Sequence, residues 1–351
     1  MKILYGVQGT GNGHLSRARA MNKALKQYKN INVDYLFSGR QREHYFDMAP
    51  FGDFTCHSGL TFITHGGKIS PIATLRENKL RQLFQDIKQT NLSRYDLVIS
   101  DFEPISAWAA RRQNIPSLAI GHQYAFLHDI PKKGNNLLTD AVMKFFAPTE
   151  RQIGLHWHHF NQPILPPIID IDHQPTLTID NKIVVYLGFE STKSVIDLLS
   201  SFNQYEFFIY GPNIQQKKSQ GHLHLHPVDR DGFKRDLLSC NGVITNAGFE
   251  LASEAISLGK KILVKPLHGQ MEQLSNAYAL EKLSLGMTMP HLDKQVVDAW
   301  LTDFLGKKVV YPDVPKALAE WINSGMQESN DALANKLWQA THSPDIPLFA
   351  N

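Results

Sequence analysis

The sequence predicts an α/β protein made of two Rossmann-like units, each a doubly wound parallel sheet, that face each other across a central cleft. Short apolar segments that end in glycine or polar turns alternate with amphipathic helical segments along most of the 351 residues. The alternation breaks once, between residues 156 and 175, where histidines and prolines are frequent, and then restarts. Uninterrupted apolar strands separated by helices are typical of parallel sheets covered by helices on both faces.

The first half of the chain contains four apolar segments that predict buried strands. They are expected at residues 2–7, 33–37, 96–100 and 117–120. Helical periodicity predicts helices at residues 14–27, 75–88 and 105–113. Because strands and helices alternate, we expect parallel strands joined by helical crossovers.

The second half repeats this organisation. Strands are expected at residues 183–187, 206–210, 222–226, 242–245 and 261–264. Helices are expected at residues 194–202, 233–239, 250–258, 273–283, 293–304 and 314–340. The predicted organisation is an N-terminal unit (1–162), a proline-rich linker (163–175), a C-terminal unit (176–325) and a final helix and tail (326–351) that packs back toward the N-terminal unit.

Composition excludes several classes of protein. A net charge of +3 gives no global attraction to nucleic acid, and basic pairs such as Arg17 and Arg19 are expected to be solvated, with contact to phosphates as the alternative. Cys56 and Cys240 lie far apart in the sequence, so neither a disulfide framework nor a zinc finger is expected. No apolar stretch reaches the roughly 18–20 residues of a membrane-spanning helix. We expect a cytoplasmic protein, with peripheral contact at the inner face of the membrane left open.

The turn after the first strand is rich in glycine. It consists of Gly9, Thr10, Gly11, Asn12, Gly13 and His14. Glycines let the backbone approach a ligand and direct amide hydrogens at an anion, so we expect an acceptor or phosphate loop. The dinucleotide pattern G-x-G-x-x-G fails here, because His14 or Ser16 occupies its sixth position, and a nicotinamide enzyme is therefore disfavoured. His14 is a candidate general base, and a histidine that only hydrogen-bonds the loop is the alternative.

Polar side chains follow two further strands of the first unit. Asp101 and Glu103 come after the strand at 96–100, and His122 comes after the strand at 117–120. The carboxyl ends of parallel strands share one edge of a sheet, so all three are expected beside the glycine-rich turn. Asp101 or Glu103 is expected to orient His14 or to serve as the base itself, and His122 to belong to the acceptor loop.

The second unit carries the residues expected to hold a donor. Asn246, Ala247, Gly248 and Phe249 follow a buried strand and open a helix, so their amides can face a diphosphate without a metal. Glu254, about one turn into that helix, is positioned to accept the two hydroxyls of a ribose. Further donor-binding residues are expected after two other strands of this unit. These residues are Gly188, His268, Gln270, Glu272 and Gln273.

Two other patterns have alternative interpretations. His222, His224 and His226 alternate along one strand, which is the geometry of a metal site or of a half-exposed strand, and the intervening leucines favour the strand. The segment 124–127 (YAFL) beside Lys132 and Lys133 suggests an acceptor on a lipid carrier, although core residues with solvated lysines show the same pattern.

These motifs resemble those of the GT-B glycosyltransferases, in particular the branch that contains the N-acetylglucosaminyltransferase that makes lipid II from UDP-GlcNAc. That enzyme opens with G-G-T-G-G-H and later has a small-residue turn, a helical glutamate and P…Q-x-x-N-A, which correspond here to residues 8–14, 246–248, Glu254, Pro266 and 273–277. A bacterial and archaeal group of predicted glycosyltransferases is similar in its opening loop and at residues 101–104 (DFEP) and 121–123 (GHQ).

The resemblance implies a GT-B fold and a role for each motif. Glu254 would bind the ribose, residues 246–249 the diphosphate, Glu272 and Gln273 the donor sugar, and the loop with His14 would face the acceptor. The expected activity is transfer of a hexose or N-acetylhexosamine from a UDP-linked donor to a glycan or lipid-linked acceptor of the cell envelope, without cofactor or metal.

The spacing of acidic residues in the second unit predicts the stereochemistry of the reaction. The E-x7-E pair of many retaining GT-B enzymes is missing, because Leu258 and Ile262 stand eight residues after Glu250 and Glu254, so we expect inversion. A UDP-GlcNAc 2-epimerase-like enzyme and a non-catalytic nucleotide-sugar-binding protein remain as alternatives on the same fold.

Overall fold

The computed structural model describes residues 1–60, 64–65, 68–69, 80–170 and 176–343. They form two α/β units with parallel sheets, as the alternation of strands and helices predicts. The strands are β1 (Lys2–Gln8), β2 (Asn32–Ser38), β3 (Phe54–His57), β4 (Thr64–His65), β5 (Lys68–Ile69), β6 (Leu97–Asp101), β7 (Ser117–Gly121), β8 (Arg151–Gly154), β9 (Ile179–Tyr186), β10 (Glu206–Tyr210), β11 (Lys218–Gln220), β12 (Leu223–His226), β13 (Cys240–Asn246), β14 (Lys261–Lys265) and β15 (Met287–Thr288).

Helices connect these strands and extend beyond the last of them. They are α1 (Asn12–Leu25), α2 (Leu80–Gln89), α3 (Pro104–Gln113), α4 (Leu137–Phe145), α5 (Thr192–Leu199), α6 (Arg230–Ser239), α7 (Phe249–Ser257), α8 (Met271–Lys282), α9 (Lys294–Asp303), α10 (Val314–Asn323) and α11 (Asn330–Gln339). None of the helices in the described ranges has both the length and the apolar character needed to cross a membrane.

The first sheet has the strand order β3-β2-β1-β6-β7-β8, and all of its pairings are parallel. Chain order reverses between β1 and β6, and a doubly wound sheet opens a crevice at the carboxyl ends of its strands at such a point. The glycine-rich turn follows β1, and Asp101 ends β6. The topology therefore brings these two motifs together although about 90 residues separate them.

The second sheet has the order β11-β12-β10-β9-β13-β14-β15, and β11 is its antiparallel strand. Chain order reverses between β9 and β13, which are parallel neighbours. Gly188 follows β9, and Asn246 ends β13, so the expected donor residues also lie at a reversal point.

An aromatic contact joins the two units beside the cleft. Phe249, the first residue of α7, stacks on His122 of the first unit at a centroid distance of 3.9 Å and lies 5.0 Å from Trp157. Trp157 Nε1 donates to Ser253 Oγ at 2.8 Å, one turn further along α7. These buried contacts fix the start of α7 against the first unit.

The C-terminal helices cross back to the first unit. α10 packs against α1, and Asn30 Nδ2 donates to Asn323 Oδ1 at 2.8 Å. On α11, Trp338 is 2% exposed and donates from Nε1 to the Ile164 carbonyl at 2.7 Å. The crossing thus begins with α10, before residue 326. Residues 171–175 of the expected linker and 344–351 of the expected tail lie outside the described residues.

Several elements differ from the sequence prediction. The single helix expected at 314–340 is two helices, α10 and α11, because Gly325 and Met326 have positive φ angles that end the first. The helix expected at 75–88 is described only from Leu80 onward. Strands β3, β4, β5, β8, β11 and β15 and helix α4 were not predicted. Their segments are short, or carry an apolar pattern without a buried face.

Candidate active site

A cavity of about 490 Å³ lies between the carboxyl ends of the two sheets, which is within the usual size range of small-molecule sites. Most of the residues expected from sequence line it. From the first unit these are Thr10, Gly11, Asn12, Gly13, His14 and His122; from the second unit they are Gly188, Asn246, Gly248, Phe249, Glu254, Gln270, Glu272 and Gln273.

Five expected residues lie outside the cavity lining: Gly9, Asp101, Glu103, Ala247 and His268. Gly9 donates to the Ser38 carbonyl at 2.6 Å, and an added Cβ would meet the Tyr45 hydroxyl at 2.0 Å. The Ala247 carbonyl accepts from Asn276, and His268 is exposed to solvent. Gly9 and Ala247 are therefore structural, and His268 has no contact that supports the expected donor role.

His14 and Asp101 form a hydrogen-bonded pair at the first reversal point. Nδ1 of His14 lies 2.8 Å from Asp101 Oδ1. His14 reaches the cavity, whereas Asp101 is fully buried behind it. Burial alone would raise the pKa of Asp101, but Arg17 and His14 hold that pKa below its ordinary value. Nδ1 of His14 also lies 2.9 Å from Nη2 of Arg17, which can only donate. In the tautomer that donates a proton from Nδ1 to the Asp101 carboxylate, Nε2 is the nitrogen that can accept a proton.

Arg17, three residues after His14 on α1, fixes this pair. Its guanidinium donates to both carboxylate oxygens of Asp101, from Nε at 2.8 Å and from Nη2 at 2.6 Å. Its Nη1 donates to Glu250 Oε1, which belongs to α7 in the second unit. The pKa of Arg17 is raised, because Asp101 and Glu250 outweigh the opposing effect of burial. One buried cation therefore joins the candidate base to the opposite wall of the cleft.

Glu103 does not belong to this cluster. It precedes α3, and its carboxylate accepts from the backbone N–H groups of Ile105 at 2.9 Å and Ser106 at 2.6 Å and from the Ser38 hydroxyl at 2.7 Å. Burial raises the pKa of this carboxyl group. All of these partners lie outside the cavity, so the structure makes Glu103 a helix cap and corrects its expected role as a base.

The start of α7 forms the opposite wall. Gly248 precedes the helix and supplies no side-chain cap to its first turn. The Gly248 amide donates to the Asn246 carbonyl at 2.7 Å, so the amides that can face an anion are those of residues 249–251 rather than 246–249. Glu254 lies one turn further, lines the cavity and is 7% exposed. Burial raises the pKa of Glu254 to about 8.

Polar groups at the start of α8 form the third side. Gln123 Nε2 donates to both carboxylate oxygens of Glu272 at 3.2 Å across the cleft. The side-chain oxygens of Gln123 and Gln270 are buried and have no hydrogen-bond partner among the residues that the structure describes. Unpaired buried acceptors at a cavity wall are suited to the hydroxyls of a bound sugar.

His122 lines the cavity, and both of its ring nitrogens also have protein partners. Its Nδ1 lies 2.8 Å from the Leu155 carbonyl oxygen and its Nε2 lies 2.7 Å from Asn276 Oδ1. Burial lowers the pKa of His122. Because both ring nitrogens are engaged and one face covers Phe249, His122 holds the two units together and offers only its edge to the cavity.

Sequence reasoning missed part of the lining. The sequence predicted Arg17 and Arg19 as solvated charges, with contact to phosphates as the alternative, and did not predict the ion pairs of Arg17, although its spacing of three from His14 on a helix was a usable signal. Tyr210 and Phe233, whose rings lie 5.1 Å apart at 78°, and Tyr186 form an aromatic wall near Glu254. These aromatics come from separate elements, so no local pattern groups them.

The alternating histidines of β12 have other partners. His224 lies 2.7 Å from Glu206 Oε2, and His222 lies 3.2 Å from the Leu199 carbonyl oxygen. Leu223 and Leu225 between them are buried, which is the pattern of a half-exposed strand. Among the residues that the structure describes, no group of three or more His, Cys, Asp or Glu side chains is placed to hold a metal ion.

Comparison with known proteins identifies relatives of the whole chain. A family described as Glycosyl transferase family 1 matches residues 1–305. None of the curated proteins that were compared matches. The glycosyltransferase SnogD from Streptomyces nogalater is similar with a TM-score of 0.55 and 13% identity, over 97% of this chain and 99% of that one. MurG from Acinetobacter baumannii has a TM-score of 0.52 and 14% identity, over 96% and 92%. Spinosyn rhamnosyltransferase SpnG complexed with thymidine diphosphate has a TM-score of 0.56 and 13% identity, over 98% of each chain.

The raised pKa of Glu254 predicts how stability changes with pH. The folded protein keeps a proton on Glu254 up to about pH 8, whereas the unfolded chain loses it near 4.5. The free energy of unfolding should therefore fall as the pH rises from 4.5 to 8.

Glu254→Gln should remove this contribution and be more stable than the wild type at pH 8.5 but not at pH 4.5. Urea denaturation at both pH values measures the difference. Glu281→Gln, an exposed glutamate on α8, should follow the wild-type curve, and identical curves for Glu254→Gln and wild type would contradict the prediction.

Proposed function

The chain belongs to glycosyl transferase family 1, and we propose that it moves a hexose or an N-acetylhexosamine from a UDP-linked sugar to an acceptor hydroxyl. It is a transferase with the GT-B fold. One observation carries the proposal: a histidine–aspartate pair and an uncapped helix N-terminus face the same cavity from opposite units.

His14 is proposed as the general base. Its Nε2 would accept the proton of the acceptor hydroxyl as oxygen attacks the anomeric carbon. Asp101 would stabilise the imidazolium that forms, and Arg17 would keep the Asp101 carboxylate ionised and oriented. Because Asp101 is buried behind His14, it acts through the imidazole rather than on the substrate.

The start of α7 is proposed as the site of the leaving nucleoside diphosphate. Negative charge builds up on this group as the bond between the donor's sugar and its diphosphate breaks. The helix dipole and the free amides would stabilise this charge without a metal ion or cofactor. Glu254 would hold the ribose, while Gln270, Glu272 and Gln273 would contact the sugar hydroxyls.

A single displacement with inversion is proposed. The proposed base on the first unit and the proposed leaving-group site on the second are placed to suit attack from the side of the sugar opposite the departing diphosphate. No carboxylate stands eight residues beyond Glu250 or Glu254, where Leu258 and Ile262 occur. The preference for UDP rests on the resemblance to the lipid II branch, and SpnG is a structural neighbour with bound thymidine diphosphate, which makes TDP-sugars the alternative donors.

The acceptor is proposed to be carried by a lipid or a glycan of the cell envelope. The expected lipid-facing segment 124–127 is mostly core, because Tyr124, Ala125 and Phe126 are at most 4% exposed. On the acceptor side, Phe102 and Phe146 instead stack at 4.9 Å and line the cavity. They offer an apolar surface to an acceptor.

Helix α4, directly before Phe146, presents an apolar surface to solvent. None of its residues is buried, and Leu137, Leu138 and Phe145 are 91%, 74% and 53% exposed. Lys132, Lys133 and Lys144 flank these side chains. Apolar side chains flanked by lysines suit the anionic inner face of a membrane. We propose that the protein is cytoplasmic and docks there through α4, next to the cleft.

Donor binding is the first test. A thermal-shift screen of UDP-, GDP- and TDP-sugars should show stabilisation by the true donor, because a ligand bound only to the folded state raises its melting temperature. Glu254→Ala should abolish the shift, and Glu281→Ala on the exposed face of α8 should keep it. No shift with any nucleotide-sugar would overturn the proposed function. Release of free UDP by the wild type without an acceptor would instead favour an epimerase.

The proposed base predicts both rate and stereochemistry. His14→Ala should lower kcat by about 10²–10⁴-fold with a small effect on donor binding. His291→Ala, at a histidine whose side chain is 77% exposed outside the cavity, should have wild-type kcat. NMR of the wild-type product should show the inverted anomer, and a retained anomer would refute the single displacement.

Membrane docking predicts a specific loss on changing α4. Leu137→Ser with Leu138→Ser should abolish co-sedimentation with vesicles of equal phosphatidylglycerol and phosphatidylcholine. Leu305→Ser, which changes a leucine 75% exposed in the second unit, should not. Equal sedimentation of both variants would contradict docking through α4. A dimer of the wild type that dissociates in the α4 variant would assign this surface to a second copy of the chain.

A further inference from the structure

An acidic side chain occupies the start of α7, where the proposed donor places a diphosphate. Glu250 is the second residue of this helix, and its carboxylate accepts from Arg17 Nη1 across the cleft. Its side chain is 10% exposed and that of Arg17 is 2% exposed. A diphosphate bound by the amides of residues 249–251 would therefore lie next to a buried carboxylate.

The packing holds Glu250 in this position. A Cβ added to Gly13 would lie 2.7 Å from Glu250 Cγ, so this glycine leaves the room that the glutamate side chain uses. Phe249, the preceding residue, is stacked on His122. The first turn of α7 thus touches α1 directly, and Glu250 fills the space between them.

The charges around Glu250 come from four elements. Arg17 and His14 lie on α1, Asp101 on β6 and Glu272 on α8, while Glu254 lies on the same helix. Burial raises the pKa of Glu250 to about 7, although Arg17 acts in the opposite direction. Arg17 and the helix N-terminus are the positive groups at this point, and a second anion would compete with Glu250 for both.

We propose that in the free protein the Glu250 carboxylate occupies the place of the donor's diphosphate, and that donor binding exchanges the Arg17–Glu250 ion pair for an Arg17–diphosphate ion pair. This inference rests on the proposed function. Glu250 leaves Arg17 when the donor binds and takes up a proton from solvent, which removes the repulsion between two anions at one site. Arg17 keeps both hydrogen bonds to Asp101 during the exchange.

The exchange gives Arg17 two tasks in one reaction. It orients Asp101, and through Asp101 the proposed base, and it contacts the leaving group once the donor is bound. The exchange also makes nucleotide binding depend on pH, because the carboxylate that must be displaced is ionised above about pH 7.

The isosteric variant Glu250→Gln tests the exchange. Its amide fills the same space without charge, so UDP and TDP should bind about tenfold more tightly than to the wild type at pH 8 and nearly equally at pH 6. Isothermal titration calorimetry of the wild type and the variant at each pH gives the ratio of their dissociation constants. Protonation of the nucleotide affects both constants equally and therefore cancels in this ratio. Glu150→Gln makes the same change at an exposed residue outside the cleft and should match the wild type.

A second variant tests the cation. Arg17→Lys should weaken binding of UDP more than binding of uridine, because only the diphosphate needs the guanidinium. The exchange alone would be overturned if Glu250→Gln bound UDP at pH 8 no more tightly than the wild type does. This conclusion requires that the wild type binds UDP and that Glu254→Ala does not. Failure of the wild type to bind UDP and TDP would overturn the proposed function together with the exchange.

Discussion

The site depends on the contact between the first turn of α7 and the first unit. Phe249 stacks on His122, and Glu250 binds Arg17 while resting on Gly13. This contact sets the distance between an uncapped helix N-terminus and the candidate base His14. A wider cleft would separate the proposed base from the proposed leaving-group site, and a narrower one would leave no cavity. The same few residues therefore provide the inter-unit packing and set the width of the candidate site.

The buried charges at this contact are suited to function more than to stability. Removing Asp101, Arg17 and Glu250 from water has a large desolvation penalty, which their mutual attraction only partly offsets. An apolar cluster of similar shape would serve folding equally well. The guanidinium of Arg17, however, is fixed between the carboxylates of Asp101 and Glu250. In this position it orients the His14 imidazole through Asp101 and also presents a cation to an incoming anion without reorganisation. Burial raises the pKa of both Glu250 and Glu254, so the wall of the cavity carries less negative charge near neutral pH than two exposed glutamates would.

The two halves of the cleft differ in how far sequence could describe them. The donor half follows local patterns, since Gly248, Glu254 and Gln273 each sit at a fixed offset from a strand or helix end. The acceptor half is assembled from side chains that no short motif connects, such as Phe102, Phe146 and the exposed helix α4. The segment 124–127 was compatible with a lipid-carried acceptor or with the core, and tertiary packing places most of it in the core while α4 is exposed.

By itself, the sequence determined the doubly wound architecture, the glycine-rich turn and a set of polar and glycine residues most of which line the cavity, because apolar periodicity and turn composition are local properties. It could not separate Asp101 from Glu103, since both follow the same strand and only the fold shows that Glu103 caps α3. It also could not identify Arg17 as the bridge between units. That role exists only when two reversal points more than 200 residues apart, at His14 and Glu250, meet across a cleft. Long-range electrostatics of this kind depend on distance in space, which only the tertiary structure sets.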